Sequence, residues 1–502
     1  MFKKLIELIT EALRKMVAYS DRQDAIDDVE MMYSISEDMQ DAITTWLEVY
    51  KDNSSWLDDN NGIYSLGLGK TICQTLQSQV MSEMESRVII PGSGTDEIDE
   101  NTRAGYLNTQ YQDHVIKHLG NKVEQAMAVG GMIFQPYVSG DKIYIDFCRQ
   151  GTFIPIAFDD DGEITDIAFS DSFISDGFEY TKIERQLFNA EEQKVNVTNK
   201  VYKAKLNPDN DIDELGTEIP IDTVPRWRTI EPEVVIEDVD RPLFGTYRVP
   251  LANNIDLDCP LGLSVFSPAL KMIKKADEQF SRLDWEYEGG QMAIDVDDSA
   301  INVTQGYYGT NMQLDQTRNR LYRTLDLGKD ETYEAFAPTL RDISYIDGLD
   351  KYLRRIEDLV GLARGSLSEV AGDARTATEI RVLKQRTYIT IVSNQKALDT
   401  ALNELIHAMD ILTNLYDLAP AGEFELVTDW KDSVLTDTNE ELTNRLLLVD
   451  KGIMSREEVR EWYLDEDEDT AKNKIAEIDE NDNNNLMDDI FTQNRTQEGN
   501  QL

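Results

Sequence analysis

Few residues in this chain are of types and spacings that could do chemistry. His114 and His118 stand one helical turn apart, a spacing that suits two metal ligands, but no HExxH pattern or neighbouring acid completes a site. The third histidine, His407, is remote. Gly69-Lys70-Thr71 looks like the end of a phosphate-binding loop, yet the first glycine of that motif falls on Tyr64, and Gly62 is two places out of register. Asp159-Asp160-Asp161-Gly162 hints at a calcium loop, but its first and twelfth positions are Ala157 and Ala168, so it reads as a hairpin turn. Cys73, Cys148 and Cys259 are too scattered for a disulfide framework or a zinc knuckle, and a reducing compartment is the simplest reading. No serine or cysteine sits in a nucleophile motif. The expectation is a protein with no catalytic residues, no metal and no cofactor.

Charge narrows the class further. With 96 acidic against 49 basic residues the net charge is −47, which opposes any broad attraction to nucleic acid. Hydrophobic content of 41% supports real cores, and 502 residues suggest about three domains. The stretch MFKKLIELITEALRKM forms a short amphipathic face through Leu5, Ile6, Leu8, Ile9 and Leu13, fit for docking onto protein rather than for secretion. No run approaches the ~20 apolar residues of a membrane span, so a soluble protein without membrane contact is expected.

The elements that position these residues are dominated by one long helix, predicted over 376–417. Thr376 and Glu379 form a capping box, and Ile380, Leu383, Ile391, Leu398, Leu402, Leu405, Met409, Leu412 and Tyr416 make a single stripe, broken by Thr387 and Asn394. A second line through Val382, Ile389, Val392, Ile406 and Leu415 predicts burial on more than one side. Residues 1–129 read as helical, with Ser34 or Ser36 capping a helix through Ile43 and Trp46, and SLGLGK as a loop entering a packed helix. From 130 to 204 the period becomes two, predicting an antiparallel meander. Residues 205–240, acidic and proline-bearing, read as a linker or an excursion. Ser267-Pro268 predicts the start of a helix to about 288, and a second helix is predicted over 343–361. Between this and the long helix lies a small, glycine-containing loop expected to be mobile. EFELVTDW reads as a strand, followed by helices capped by Thr438 with Glu441 and by Ser455 with Glu458, and by a disordered tail.

The order helix, excursion, returning helix, loop and very long helix resembles tailed-phage portal proteins, of the type found in phages of Gram-positive bacteria. The residues that carry the resemblance are SLGLGK at 65–70, GGMIFQPYV at 130–138, NNIDLDCPLGLSV at 253–265 and TATE at 376–379, and it covers about residues 1 to 480. It implies an α+β, portal-type subunit with a helical stem, an antiparallel β-rich wing, an α/β clip and a helical crown, assembled as a ring. The implied parts are 1–129 (helical wing), 130–266 (β-rich wing and linker), 267–290 (first stem helix), 291–342 (clip), 343–361 (second stem helix), 362–375 (tunnel loop), 376–435 (long helix and return strand) and 436–502 (crown and tail).

The function implied is a virion component at one capsid vertex, present in the host cytoplasm during assembly. Double-stranded DNA would be packaged and ejected through it without sequence specificity. Implied partners are further copies of the chain, the terminase large subunit, a head–tail adaptor, and the major capsid and scaffolding proteins. Arg364, Ser366, Ser368 and Arg375 become DNA-facing candidates in the loop. Lys271, Lys274, Lys275, Arg282, Lys351, Arg354 and Arg355 become channel-lining candidates, with pairing to Asp277, Glu278, Asp350, Glu357, Asp358 or acids of the next copy as the alternative for each. Another head–tail connector component, or a nucleotide-binding packaging enzyme using Lys70 and Thr71, are the competing readings.

Overall fold

The computed structural model describes residues 35–57, 62–92, 99, 101–207, 215–257, 259–290, 338–369, 377–430, 438–464, 466, 468 and 470–478, with backbone alone for 377–384, 438–441 and short strands between 293 and 336. The amphipathic N-terminal stretch, Arg375, Thr376, most of the segment after 290 and the tail lie outside these residues, as do the side chains of Glu379, Thr438 and Glu441. The chain divides into two compact units, 1–429 and 430–502.

The first unit begins with α1 (Glu37–Tyr50), capped by Ser36, whose hydroxyl accepts the Met39 amide at 3.3 Å. Met39, Ile43, Trp46 and Val49 form its buried face. It packs with α2 (Leu68–Met81) and with α4 (Lys117–Val129), which follows strand β1 (Met84–Ile89) and α3 (Arg103–Tyr111) and is joined to α3 by one π turn, Gln112–Ile116. Gly130, at φ 101°, ends α4. A Cβ there would strike the carbonyl of Gly262, and one on Gly262 would strike that of Gly130, so this crossing of two chains requires glycine on both sides. The NNIDLDCPLGLSV passage is therefore a packing element; its Asn253 accepts the Ile255 and Asp256 amides and donates to the Cys259 and Leu261 carbonyls.

Strands β2 (Gly131–Ser139), β3 (Lys142–Arg149), β4 (Phe153–Phe158), β5 (Ile164–Ser175), β6 (Phe178–Asn189) and β7 (Lys194–Lys205) follow in order. The expected single meander is in fact two sheets. The chain turns out of the first after β3 through Gly151 at φ 95°, leaving β2 and β3 apart from β4–β7. Of the two readings of residues 205–240, the excursion fits: the stretch packs back onto the sheet rather than serving as a linker. It supplies β8 (Thr217–Ile219) and β9 (Glu233–Glu237), both antiparallel to β7, and Trp227 is buried with Val201, Ile221 and Val224. Strand β10 (Gly245–Arg248) then joins the first sheet beside β2.

After a 3-10 turn at Ser267–Ala269 comes α5 (Leu270–Gly289). Phe266, not Ser267, occupies the cap position of that turn, and the local hydroxyl bond is from the Phe266 amide to Ser264. The next segment shows strands only among the described residues: β11 (Ala293–Asp297) lies between β14 (Tyr322–Leu325) and β15 (Tyr333–Phe336), and β12 (Gln305–Gly306) pairs β13 (Gly309–Thr310). Helix α6 (Asp342–Val360) returns along α5.

The long helix, α7 (Ala377–Leu415), has 39 residues, about 58 Å at 1.5 Å per residue. Leu398, Leu402, Leu405 and Met409 are buried as one stripe. The second line is buried only in its middle; Ile389 and Leu415 face solvent. Of the two polar interruptions Asn394 has a tertiary partner: it accepts the Tyr247 hydroxyl at 2.8 Å, tying the helix to β10. Strand β16 (Glu425–Trp430) pairs with β1.

The second unit contains α8 (Thr438–Asp450) and α9 (Arg456–Leu464). Ser455 and Glu458 form a capping box, with bonds of 2.6 and 3.1 Å, and the Arg445 guanidinium lies 4.1 Å over the Trp462 ring.

Candidate functional site: a helical hairpin and its loop

Helices α5 and α6 form an antiparallel hairpin with a defined register. At its far end the Glu286 carboxylate accepts the Arg341 amide at 3.0 Å and grips its guanidinium at 3.1 and 2.7 Å. This fork holds the Glu286 carboxyl below the usual range. Midway, Gln279 donates to the Tyr345 carbonyl at 3.2 Å and packs against Gly348.

A second contact straps the chain before α2 onto α5. Asp277, buried on the inner side, accepts the Trp56 indole at 3.0 Å and the Leu66 amide at 2.9 Å, while Ser281 accepts the Tyr64 amide at 2.9 Å. Burial raises the Asp277 carboxyl, opposed by these two bonds. The same bonds define SLGLGK. The Leu66 amide goes to Asp277 and the Gly67 amide to Ser65, so two amides a phosphate would need are already taken. Gly69 packs against Val49, where a Cβ would come within 2.6 Å of the valine methyl, and Lys70 points to solvent.

The loop after α6 is built on Glu357. This fully buried carboxylate accepts the amides of Gly365, Leu367 and Ser368 at 3.0, 2.6 and 2.8 Å and the Ser368 hydroxyl at 2.9 Å. The described part of the loop, 362–369, is thus a turn built around an acid. Gly361 at φ 79°, packed on Thr390, makes the bend. Ser366 is exposed, whereas Ser368 is turned inwards by Glu357. Arg364 is exposed and bonded to Asp358 at 3.0 Å, which also pairs with Arg386 of α7 at 3.4 Å; the Arg364 bond keeps the Asp358 carboxyl low. Arg375 lies outside the described residues.

Of the hairpin cations, Lys275 bonds Glu278 at 2.7 Å, Arg282 comes within 4.0 Å of Glu278, and Arg354 bonds Asp350 at 2.7 Å. Lys271, Lys274, Lys351 and Arg355 have no ion pair within 4.0 Å among the described residues. Asp277 and Glu357, offered above as partners for these cations, take backbone and indole donors instead. Their anchoring roles were missed, although each is a carboxylate beside an apolar residue of its helix's buried stripe, Ala276 and Ile356.

The other candidate residues are dispersed. His114 lies tilted at 45° against Tyr144, 4.5 Å between centroids, and burial lowers its pKa, whereas His118 is exposed. Asp159 accepts the Asp161 and Glu163 amides in the turn between β4 and β5. Burial pushes the Cys148 thiol up to about 12. Among the described residues no group of three His, Cys, Asp or Glu side chains is placed to hold a metal, and no helix is long and apolar enough to cross a membrane.

No curated protein matches the chain. The sequence model of the family described as "Phage portal protein, SPP1 Gp6-like" matches residues 93–485, well over half of the chain and all of the hairpin, loop and long helix. The chain belongs to this family of phage portal proteins, components of the virion capsid.

Proposed function

We propose that copies of this chain form a ring, of about twelve members, at one capsid vertex, with the α5–α6 hairpins around an axial channel for double-stranded DNA. The observation that carries this reading is the hairpin with its anchored loop, set on a long helix within a portal-family chain. The segment between the hairpin helices is the clip, which meets the terminase large subunit during packaging and a head–tail adaptor afterwards. The sheets and α7 form the wing, α8 and α9 the crown, and capsid and scaffolding proteins surround the ring.

The electrostatics suit a conduit. A subunit of net charge −47 repeated around an axis repels a polyanion and prevents it from sticking. Phosphate contact then falls to exposed cations of the loop and hairpin, foremost Arg364 and Arg375, with Lys271, Lys274, Lys275, Arg282, Lys351, Arg354 and Arg355 as further candidates. Arg364→Ala combined with Arg375→Ala should leave rings intact and impair DNA packaging; normal filling of heads by that variant would remove the loop assignment. Negative-stain images of the wild-type protein should show rings with an axial hole.

A further inference from the structure

The hairpin leaves two faces uncovered whose contents match. On α5 the exposed or half-exposed residues Trp285, Arg282, Glu278, Lys275 and Lys271 follow one another at steps of three and four, forming a single stripe off the α6 seam. On α6, Ile343, Asp347, Lys351 and Arg354 do the same off the α5 seam, and the line ends on half-buried Asp358, which already holds Arg364 and Arg386. Two of these residues are large apolar side chains left in water: Trp285 is 66% and Ile343 72% exposed. A cavity of about 440 Å³ opens beside Trp285, walled also by Ile63, Tyr64 and Tyr345.

The register of the hairpin places these stripes at common heights. Arg341 grips Glu286, and Tyr345 lines the same cavity as Ser281 and Trp285, so Ile343 lies level with Trp285. Rotation about a ring axis preserves height, and it brings the α5 face of one copy to the α6 face of the next as a heterologous contact. Ascending by turns, the facing pairs are Trp285 with Ile343, Arg282 with Asp347, Glu278 with Lys351, Lys275 with Arg354 and Lys271 with Asp358. One pair is apolar and three are of opposite charge. The like-charged fourth is relieved within each copy, Lys275 by Glu278 and Arg354 by Asp350, both at 2.7 Å.

We infer that these stripes are the seam between neighbouring copies, with Ile343 of one copy seated in the cavity beside Trp285 and Tyr64 of the next. The inference rests on the ring reading above and deepens it. It withdraws Lys271, Arg282 and Lys351 from the DNA and leaves Lys274 and Arg355, which fall outside both stripes, as the hairpin's free cations.

The test is oxidation of the full-length Trp285→Cys, Ile343→Cys double variant, run on a non-reducing denaturing gel beside each single variant. The double variant should give a ladder of covalent multimers, and the single variants should stay monomeric. Rings without a ladder would overturn the seam while the ring reading stands. Absence of rings from the wild-type protein would overturn both. If the cysteine variant does not assemble, a charge swap decides the matter. Arg282→Asp should lower the fraction of chains in rings several-fold, and adding Asp347→Arg should restore it; a swap that restores nothing refutes the seam.

Discussion

Replacing Glu357 by alanine should loosen residues 365–368 while leaving the rest of the first unit folded. The carboxylate carries four hydrogen bonds of 2.6 to 3.0 Å from a site with no solvent exposure. Bonds to a charged group contribute about 1.5–3 kcal/mol each, net of water, a simple sum of roughly 6–12 kcal/mol. Four bonds that share one carboxylate are far from additive, so only about a third, some 2–4 kcal/mol, should appear as loss of local stability. That is about a 30- to 1000-fold fall in hydrogen-exchange protection of the Gly365, Leu367 and Ser368 amides. Glu357→Gln keeps an acceptor for the amides but loses the charge and the Ser368 hydroxyl bond, so its loss should be smaller, about 5- to 30-fold. Amides in the middle of α7, near Leu402, serve as the internal control. Protection at 365–368 in the alanine variant within threefold of wild type would refute the anchoring role of Glu357.

Three further outcomes follow from the packing and the titrating groups. Gly69→Ala should destabilise the protein by about 1–3 kcal/mol through its clash with Val49, while Lys70→Ala stays within about 0.5 kcal/mol; thermal unfolding separates the two, and the reverse ranking would restore a functional reading of SLGLGK. Trp227→Ala should cost about 3–5 kcal/mol and open residues 215–240 to protease, where a true linker would show no change in unfolding. Burial lifts the Glu404 carboxyl above its usual range, against the pull of the Thr246 amide at 2.8 Å. The folded state therefore holds an extra proton between the unfolded and folded values, and stability falls as pH rises through that window. Glu404→Gln should flatten the Tm profile above pH about 4, and parallel profiles for the two proteins would contradict this.

The long helix and the hairpin were legible because their apolar residues recur with a strong period, and a period survives whatever packs against it. Pairing across distance is less visible. Each of β4 to β7 pairs with the next, as turn signals suggest, but nothing marks Gly151 as the point where one sheet ends. Likewise 205–240 has the acidic, proline-bearing composition of a linker; β8 and β9 are only three and five residues long, and EVVIE and Trp227 are the marks of a core in it. Ser267 precedes a proline as a cap should, yet the proline drew the chain into a 3-10 turn one step earlier. Glu357 and Asp277 escaped notice for a different reason. In a chain with 96 acidic residues a buried carboxylate has no distinguishing mark until its donors, eight to eleven residues later or more than two hundred earlier, are brought around it.

The long helix touches the loop base through Arg386 and Asp358, the first sheet through Asn394 and Glu404, and α3 through Asp410 and Arg103. Some 36 Å of continuous backbone separates the first of these points from the last. A helix resists shortening far more than it resists swinging, so a thrust delivered near Gly361 emerges at α3 as a tilt of one stiff beam.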